Sequence, residues 1–127
     1  MMKNDKLIVL DLDETLFHCD IIEPISASLD YVFTIKEGNI LVDYFTTLRP
    51  HVLEFIEYLN NNFTYGVYTA ATEDYAKNHI NILGLNPIFL KHRDNCTPKR
   101  KMNGDIYYLK RLSKSIDNIY KILDKLS

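Results

Sequence analysis

Residues 7–10, Leu-Ile-Val-Leu, are an unbroken apolar run that stops at Asp11-Leu12-Asp13-Glu14-Thr15. A run this short and this apolar predicts a buried strand of a parallel sheet. Residues 31–35 and 40–45 are rich in β-branched and aromatic side chains around Lys36-Glu37-Gly38-Asn39, which predicts a hairpin with a short turn. Arg49-Pro50 opens a helix whose apolar face is Val52, Phe55, Ile56 and Leu59 and which ends at Asn60-Asn61-Asn62. Residues 65–68 form a second short strand ending on Thr69. Thr72 can cap the next helix, where Glu73 and Asp74 suit the positive end of the helix dipole. That helix carries Tyr75, Ala76, His79, Ile80 and Leu83 and stops at Gly84. Residues 88–90 read as a third strand, 17–29 and 91–103 as irregular, and 106–113 as a short strand or turn leading to a helix. The last segment fits two patterns. Residues 119–124 read as another strand ending in an acid, while Ile116, Ile119, Leu123 and Leu126 fall on one helical face.

Alternating strands and helices predict an α/β fold with a mainly parallel sheet flanked by helices and a small hairpin inserted at about residues 30–47. Without repeats or linkers, residues 1–127 are expected to form a single domain. Hydrophobic content of 46% and charged content of 25% are those of a soluble globular chain. A net charge of −2 gives no electrostatic case for nucleic acid or an anionic membrane. No stretch reaches membrane-spanning length, and the first residues lack a signal-peptide core. Cys19 and Cys96 lie far apart and fit reduced thiols, so the expected location is intracellular, cytoplasm or nucleus. The four histidines lack ligand spacing for zinc. The basic clusters at 91–93 and 99–101 read first as solvated loops, and second as a means of steering an acidic, phosphorylated partner.

The chemistry lies at strand ends. Asp11 and Asp13 are two residues apart and point the same way while the chain is extended. Sites of parallel sheets form at the carboxyl ends of strands. Paired carboxylates there can hold a divalent cation, attack an electrophile and move a proton. Taken alone, Thr69 is an ordinary turn residue and Lys110 a surface lysine. Tyr75 either lines a groove or, more simply, packs in the core.

The residues in order suggest more. Asp11-Leu12-Asp13-Glu14-Thr15-Leu16-Phe17-His18, Leu48-Arg49-Pro50-His51-Val52, Val67-Tyr68-Thr69-Ala70-Ala71 with Tyr75-Ala76, and Tyr108-Leu109-Lys110-Arg111-Leu112-Ser113 resemble successive motifs of the haloacid dehalogenase superfamily. Within it the chain is similar to the phosphatases of the RNA polymerase II C-terminal domain and their NLI-interacting-factor-like relatives. The resemblance covers nearly the whole chain. It implies a Rossmann-like fold and a Mg²⁺-dependent phosphomonoesterase. Asp11 would be the nucleophile, forming an aspartyl-phosphate. Asp13 would protonate the leaving alkoxide and later deprotonate water. Thr69 and Lys110 would hold the phosphoryl oxygens, and Thr15 would brace the acidic loop. The metal would be bound by Asp11, the carbonyl of Asp13 and an acid of the fourth motif, for which Asp124 is the candidate.

The fourth motif departs from the family. Its usual Asp-Asp or Asp-Asn pair is matched here by Asp124-Lys125, and an ammonium cannot ligate a cation. Asp124 ligates alone or through water, or Lys125 takes the cation's place, or the tail is helical and the site keeps three motifs. The chain is then either a minimal or a truncated relative. The intervals between motifs leave no room for a large cap, so the site should be open and suit a phosphoserine or phosphothreonine of a protein. The alternatives are phosphorylated metabolites, nucleic-acid 3′ ends, or a weak relative that binds phosphorylated partners.

Overall fold

The computed structural model describes residues 4–25 and 28–110. The predicted tail segment, with Asp124 and Lys125, lies outside the described residues.

In chain order the elements are β1 (Asn4–Leu10), β2 (Phe17–Asp20), β3 (Tyr31–Glu37), β4 (Ile40–Leu48), α1 (Val52–Asn62), β5 (Phe63–Tyr68), α2 (Glu73–Leu83), β6 (Leu90–Lys91), a 3₁₀ turn (Arg93–Asn95), β7 (Thr97–Arg100) and β8 (Ile106–Leu109). Three strands form a parallel sheet in the order β1-β5-β6, with Leu10 level with Val67 and Val67 level with Leu90. A second sheet has the order β2-β4-β3, and β7 and β8 pair as a separate hairpin.

Several boundaries differ from expectation. Residues 17–20 are a strand, not loop. Phe17 is buried, Cys19 half-buried, and His18 and Asp20 exposed, so the period-two pattern is present but hidden by one polar residue in each pair. The hairpin insertion is thereby a three-stranded sheet. The basic stretch after Lys91 is also ordered, because β7 supplies the partner that β8 requires. The third parallel strand sits at 90–91, although the Ile88 N–H already bonds Tyr65 O at 2.8 Å. In α1 the buried face is Val52, Ile56 and Leu59, and Phe55 is exposed at its flank. Thr72 occupies the N-cap position of α2 without a side-chain cap bond, while Gly84 ends that helix at φ 72°. As an edge strand of the described sheet, β1 is covered unequally: Leu10 is buried and Val9 is 37% exposed.

Gly66 in β5 has a reason to be glycine. A Cβ there would lie 2.0 Å from the Phe89 ring, which covers the strand's backbone. Gly66→Ala must therefore push a buried ring aside, and overpacking of this kind costs about 1–3 kcal/mol. Urea unfolding should show that loss, and Phe89→Leu in the same chain should recover part of it.

The inserted sheet meets α2 at His79, which is fully buried. Its ring stacks on Phe17 from β2 at 3.9 Å and meets Phe33 from β3 edge-on at 4.8 Å. The Tyr31 hydroxyl and Nδ1 share a hydrogen bond at 2.5 Å, and Nε2 is without a partner among the described residues. Burial pushes the imidazole down to about 3. The unfolded chain takes up this proton below about pH 6.5 while the native state does not. Stability contributed by neutral His79 is thus full above pH 6.5 and falls by about 1.4 kcal/mol per unit toward pH 3. His79→Phe, which retains a stacked ring, should remove this component from the pH dependence of urea unfolding.

Candidate active site

The loop after β1 is fixed by its apolar residues. Leu12 and Leu16 are buried, so Asp11 and Asp13, on either side of Leu12, are turned away from the core. The chain reverses at Glu14, whose φ of 61° is left-handed, a conformation that costs about 1–3 kcal/mol at such a residue. Neighbours hold it there. Glu14 N–H bonds Phe17 O at 2.9 Å, Arg49 N–H bonds Leu16 O at 3.1 Å, and Arg49 Nη2 donates to Glu14 O at 2.5 Å. Thr15 joins the turn through its N–H, 3.2 Å from Leu12 O, and its side chain is exposed.

The two carboxylates have unequal surroundings. Asp11 is 43% exposed, accepts the Leu12 N–H on Oδ1 at 2.8 Å and meets Lys110 Nζ with Oδ2 at 3.1 Å. Asp13 accepts the Tyr75 hydroxyl on Oδ1 at 2.5 Å. Burial pushes Asp13 above the usual carboxylate range, against the lowering effect of the Tyr75 bond, and the charges of Asp11 and Glu14 push the same way as burial. Burial and the Asp13 carboxylate together raise Tyr75 strongly, so its phenol stays protonated and donates.

Thr69 follows β5 as Asp11 follows β1, and these strands are neighbours. It is fully buried. Its Oγ1 accepts the Ala71 N–H at 3.1 Å, and its own N–H bonds Lys91 O at 2.9 Å. A hydroxyl that accepts one bond retains its donor hydrogen. The loop it anchors, Ala70 to Thr72, forms a wall of a cavity of about 400 Å³ that also takes in Asp13, Tyr75, Arg93 and, from the inserted sheet, Glu37 and Tyr44. Thus Asp11 and Lys110 meet directly, Asp13 faces the cavity, and Thr69 underlies its wall.

Arg93 and Tyr44 were not read as site residues from the sequence, and for Tyr75 lining a groove was the second reading, after the core. Tyr75 is both buried and bonded to Asp13; its spacing marked an apolar helix face but carried no sign of the hydroxyl's partner. Arg93 sat in a stretch read as solvated, yet its Nε donates to Ala70 O at 3.0 Å and its N–H to Ala71 O at 2.8 Å. Tyr44 hydrogen-bonds Glu37 across the hairpin.

No group of three or more histidines, cysteines or acids able to hold a metal occurs among the described residues. The Asp11 carboxylate and the Asp13 loop do offer oxygen donors on an open side of the strand end, which is the chemistry a hard divalent cation needs.

The comparisons with known proteins agree with this arrangement. Residues 6–124 match the family profile of NLI interacting factor-like phosphatases. The chain belongs to that family. A CTD small phosphatase-like protein 3 of Caenorhabditis elegans is 34% identical over 86 residues, covering 68% of this chain and 29% of its own. A putative CTD phosphatase-like protein of Invertebrate iridescent virus 3 is 30% identical, covering 97% of this chain and 73% of its own. The chain therefore spans under a third of the worm relative's length, but most of the viral one's. In fold it matches the fission yeast RNA polymerase II CTD phosphatase Fcp1, solved with beryllium fluoride, at a TM-score of 0.58 and 23% identity over 70% of this chain and 29% of that one. The architecture is the haloacid dehalogenase fold of this phosphatase family, with a small inserted sheet.

The Tyr75–Asp13 bond should be measurable as a coupling. A double-mutant cycle of Tyr75→Phe and Asp13→Asn, followed by urea unfolding at pH 7, should give about 1.5–3 kcal/mol, the range for hydrogen bonds to a charged group.

Proposed function

We propose that the protein is a metal-assisted phosphomonoesterase that works through an aspartyl-phosphate at Asp11, on phosphoserine or phosphothreonine of a polypeptide. The observation that carries this reading is the contrast at the end of β1. An open carboxylate is paired with the Lys110 ammonium, and a second carboxyl two residues on is biased toward holding a proton.

In the first half-reaction an Asp11 oxygen attacks phosphorus, the aspartyl O–P bond forms, and the P–O bond to the serine or threonine breaks. The leaving alkoxide takes the proton of Asp13, whose raised affinity suits that task. In the second, Asp13 takes a proton from water, the water oxygen attacks phosphorus, and the aspartyl O–P bond breaks to release phosphate. Lys110, 3.1 Å from the nucleophile's oxygen, also lies within reach of the phosphoryl oxygens and offsets their charge. The Thr69 hydroxyl supplies a further donor, and Thr15 supports the acidic loop. A bound Mg²⁺ would be held by the Asp11 carboxylate, the Asp13 carbonyl and Asp124, and supplies charge neutralisation beside the nucleophile. The relatives' printed descriptions as CTD phosphatases support a phosphorylated polypeptide substrate, and among the described residues the only insertion is the small β2-β4-β3 sheet, which leaves space for one.

Hydrolysis of p-nitrophenyl phosphate tests the mechanism. Asp11→Asn should lower turnover by about a thousand-fold or more, since the nucleophile itself is lost. Chelation with EDTA should abolish wild-type turnover and added Mg²⁺ restore it. An Asp11→Asn protein within ten-fold of wild type would exclude the aspartyl-phosphate.

A further inference from the structure

Lys110 follows directly on β8, and the reaction above leaves the rest of that hairpin without a role. Residues 91–110 carry six lysines and arginines against Asp94 and Asp105, in a chain whose net charge is −2. Lys99, Arg100 and Lys101 are exposed.

Strand pairing sorts these charges onto two faces. Pro98 lies opposite Tyr108 and Arg100 opposite Ile106, whereas Thr97 lies opposite Leu109 and Lys99 opposite Tyr107. Side chains alternate across a strand, so Arg100 shares a face with Pro98, Ile106 and Tyr108, and Lys99 belongs to the other face. The Tyr108 face is the one joined to the site. Arg93, which borders the cavity of Asp13, lies over the Tyr108 ring at 4.8 Å. Two residues beyond Tyr108, Lys110 reaches Asp11. The cations Lys110, Arg93 and Arg100 thus follow one line away from the Asp11 carboxylate. At about 3.3 Å per strand residue, the level of Arg100 is about 13 Å from that of Lys110, which an extended peptide spans in about four residues.

We infer that the Arg100 face of the β7–β8 hairpin docks an acidic stretch of the phosphorylated polypeptide, with carboxylates or further phosphates about four residues from the residue being hydrolysed. This inference rests on the phosphatase reading and names its substrate class. Charge selects the occupant. A second copy of the chain would meet this face with an equally cationic one. Residues 111–127 carry four lysines and arginines against Asp117 and Asp124, and so do not complement it either. Single-stranded nucleic acid needs open aromatic faces for stacking. The tyrosine on this face, Tyr108, is already covered by Arg93.

The test uses two phosphoserine peptides that differ only in carrying Asp or Asn three to five residues away on both sides. At low ionic strength the wild type should hydrolyse the acidic peptide with a kcat/KM roughly five- to ten-fold higher, an advantage that shrinks with added salt. Arg100→Ala should reduce the preference to about two-fold or less, and Lys99→Ala, on the opposite face, should retain it. Turnover of p-nitrophenyl phosphate, which has no flank, should be the same in all three proteins. Equal kcat/KM for the two peptides in the wild type overturns the inference. So does a loss with Lys99→Ala as large as with Arg100→Ala, or stronger competition by oligothymidylate than by an unphosphorylated acidic peptide. If p-nitrophenyl phosphate is not hydrolysed at all, the phosphatase reading fails separately. Fluorescence anisotropy of the same two peptides, with the same Arg100 and Lys99 contrast, then decides the docking surface.

Discussion

Crowded negative charge at the end of one strand is the constraint around which the rest of the chain is arranged. Asp11, Asp13 and Glu14 fall within four consecutive positions, and the charges of Asp11 and Glu14 disfavour ionisation of Asp13. Each is answered from a different part of the sequence. Lys110 pairs with Asp11, Tyr75 donates to Asp13, and His18 meets Glu14 at 2.7 Å. The Glu14 carboxylate in turn raises His18 above its ordinary value, which favours the charged partner. Arg49 secures the same turn by its backbone and its guanidinium. The acidic loop is therefore a product of long-range contacts, and no local sequence could maintain it alone.

The inserted sheet contributes to this arrangement through aromatic packing. Phe33 and Tyr44 from the insertion meet Tyr75 at 5.9 and 5.1 Å, and His79, one turn further along α2, stacks on Phe17 and meets Phe33 edge-on. Aromatic contacts of this kind add about 0.5–1.5 kcal/mol each beyond their buried area. They fix the rotation of α2 about its axis. Since Tyr75 is on that helix, the insertion sets where its hydroxyl points, and hence how Asp13 is held. A small insertion can thus condition the chemistry without covering the site.

Much of this was legible in the sequence, for identifiable reasons. The apolar run ending in Asp11 and Asp13, the strand ending at Thr69 and the two helices follow from periodicity and from turn residues such as Gly84. Strand β2 escaped because it is four residues long and half polar, and only its pairing with β4 reveals it. Residues 106–109 were read as a strand or turn, but β7 escaped because its exposed basic residues carry no hydrophobic alternation; the hairpin's order comes from cross-strand hydrogen bonds and from Arg93 on Tyr108. The hydroxyl of Tyr75 was illegible for a different reason. Sequence spacing assigns a residue to a helix face, but the partner of its polar tip lies 62 positions away. The fold class could be read from local pattern and motif order, whereas the second layer of the site depends on contacts that no local pattern encodes.

What sets Asp11 apart from Asp13 is therefore not their own chemistry but the depth and partner given to each. Leu12, buried between them, forces both outward, yet the α2 side of the loop is closed by Tyr75 and the β8 side is open to Lys110. The open Asp11 carboxylate, beside the Lys110 ammonium, stays accessible from solvent. Half-buried Asp13, with a phenol donor, gains a higher proton affinity, because one neutral hydrogen bond offsets only part of the lost hydration. The division of labour proposed for the pair thus rests on which wall each faces, α2 or the β7–β8 hairpin. It would be lost as surely by rotating α2 as by replacing either aspartate.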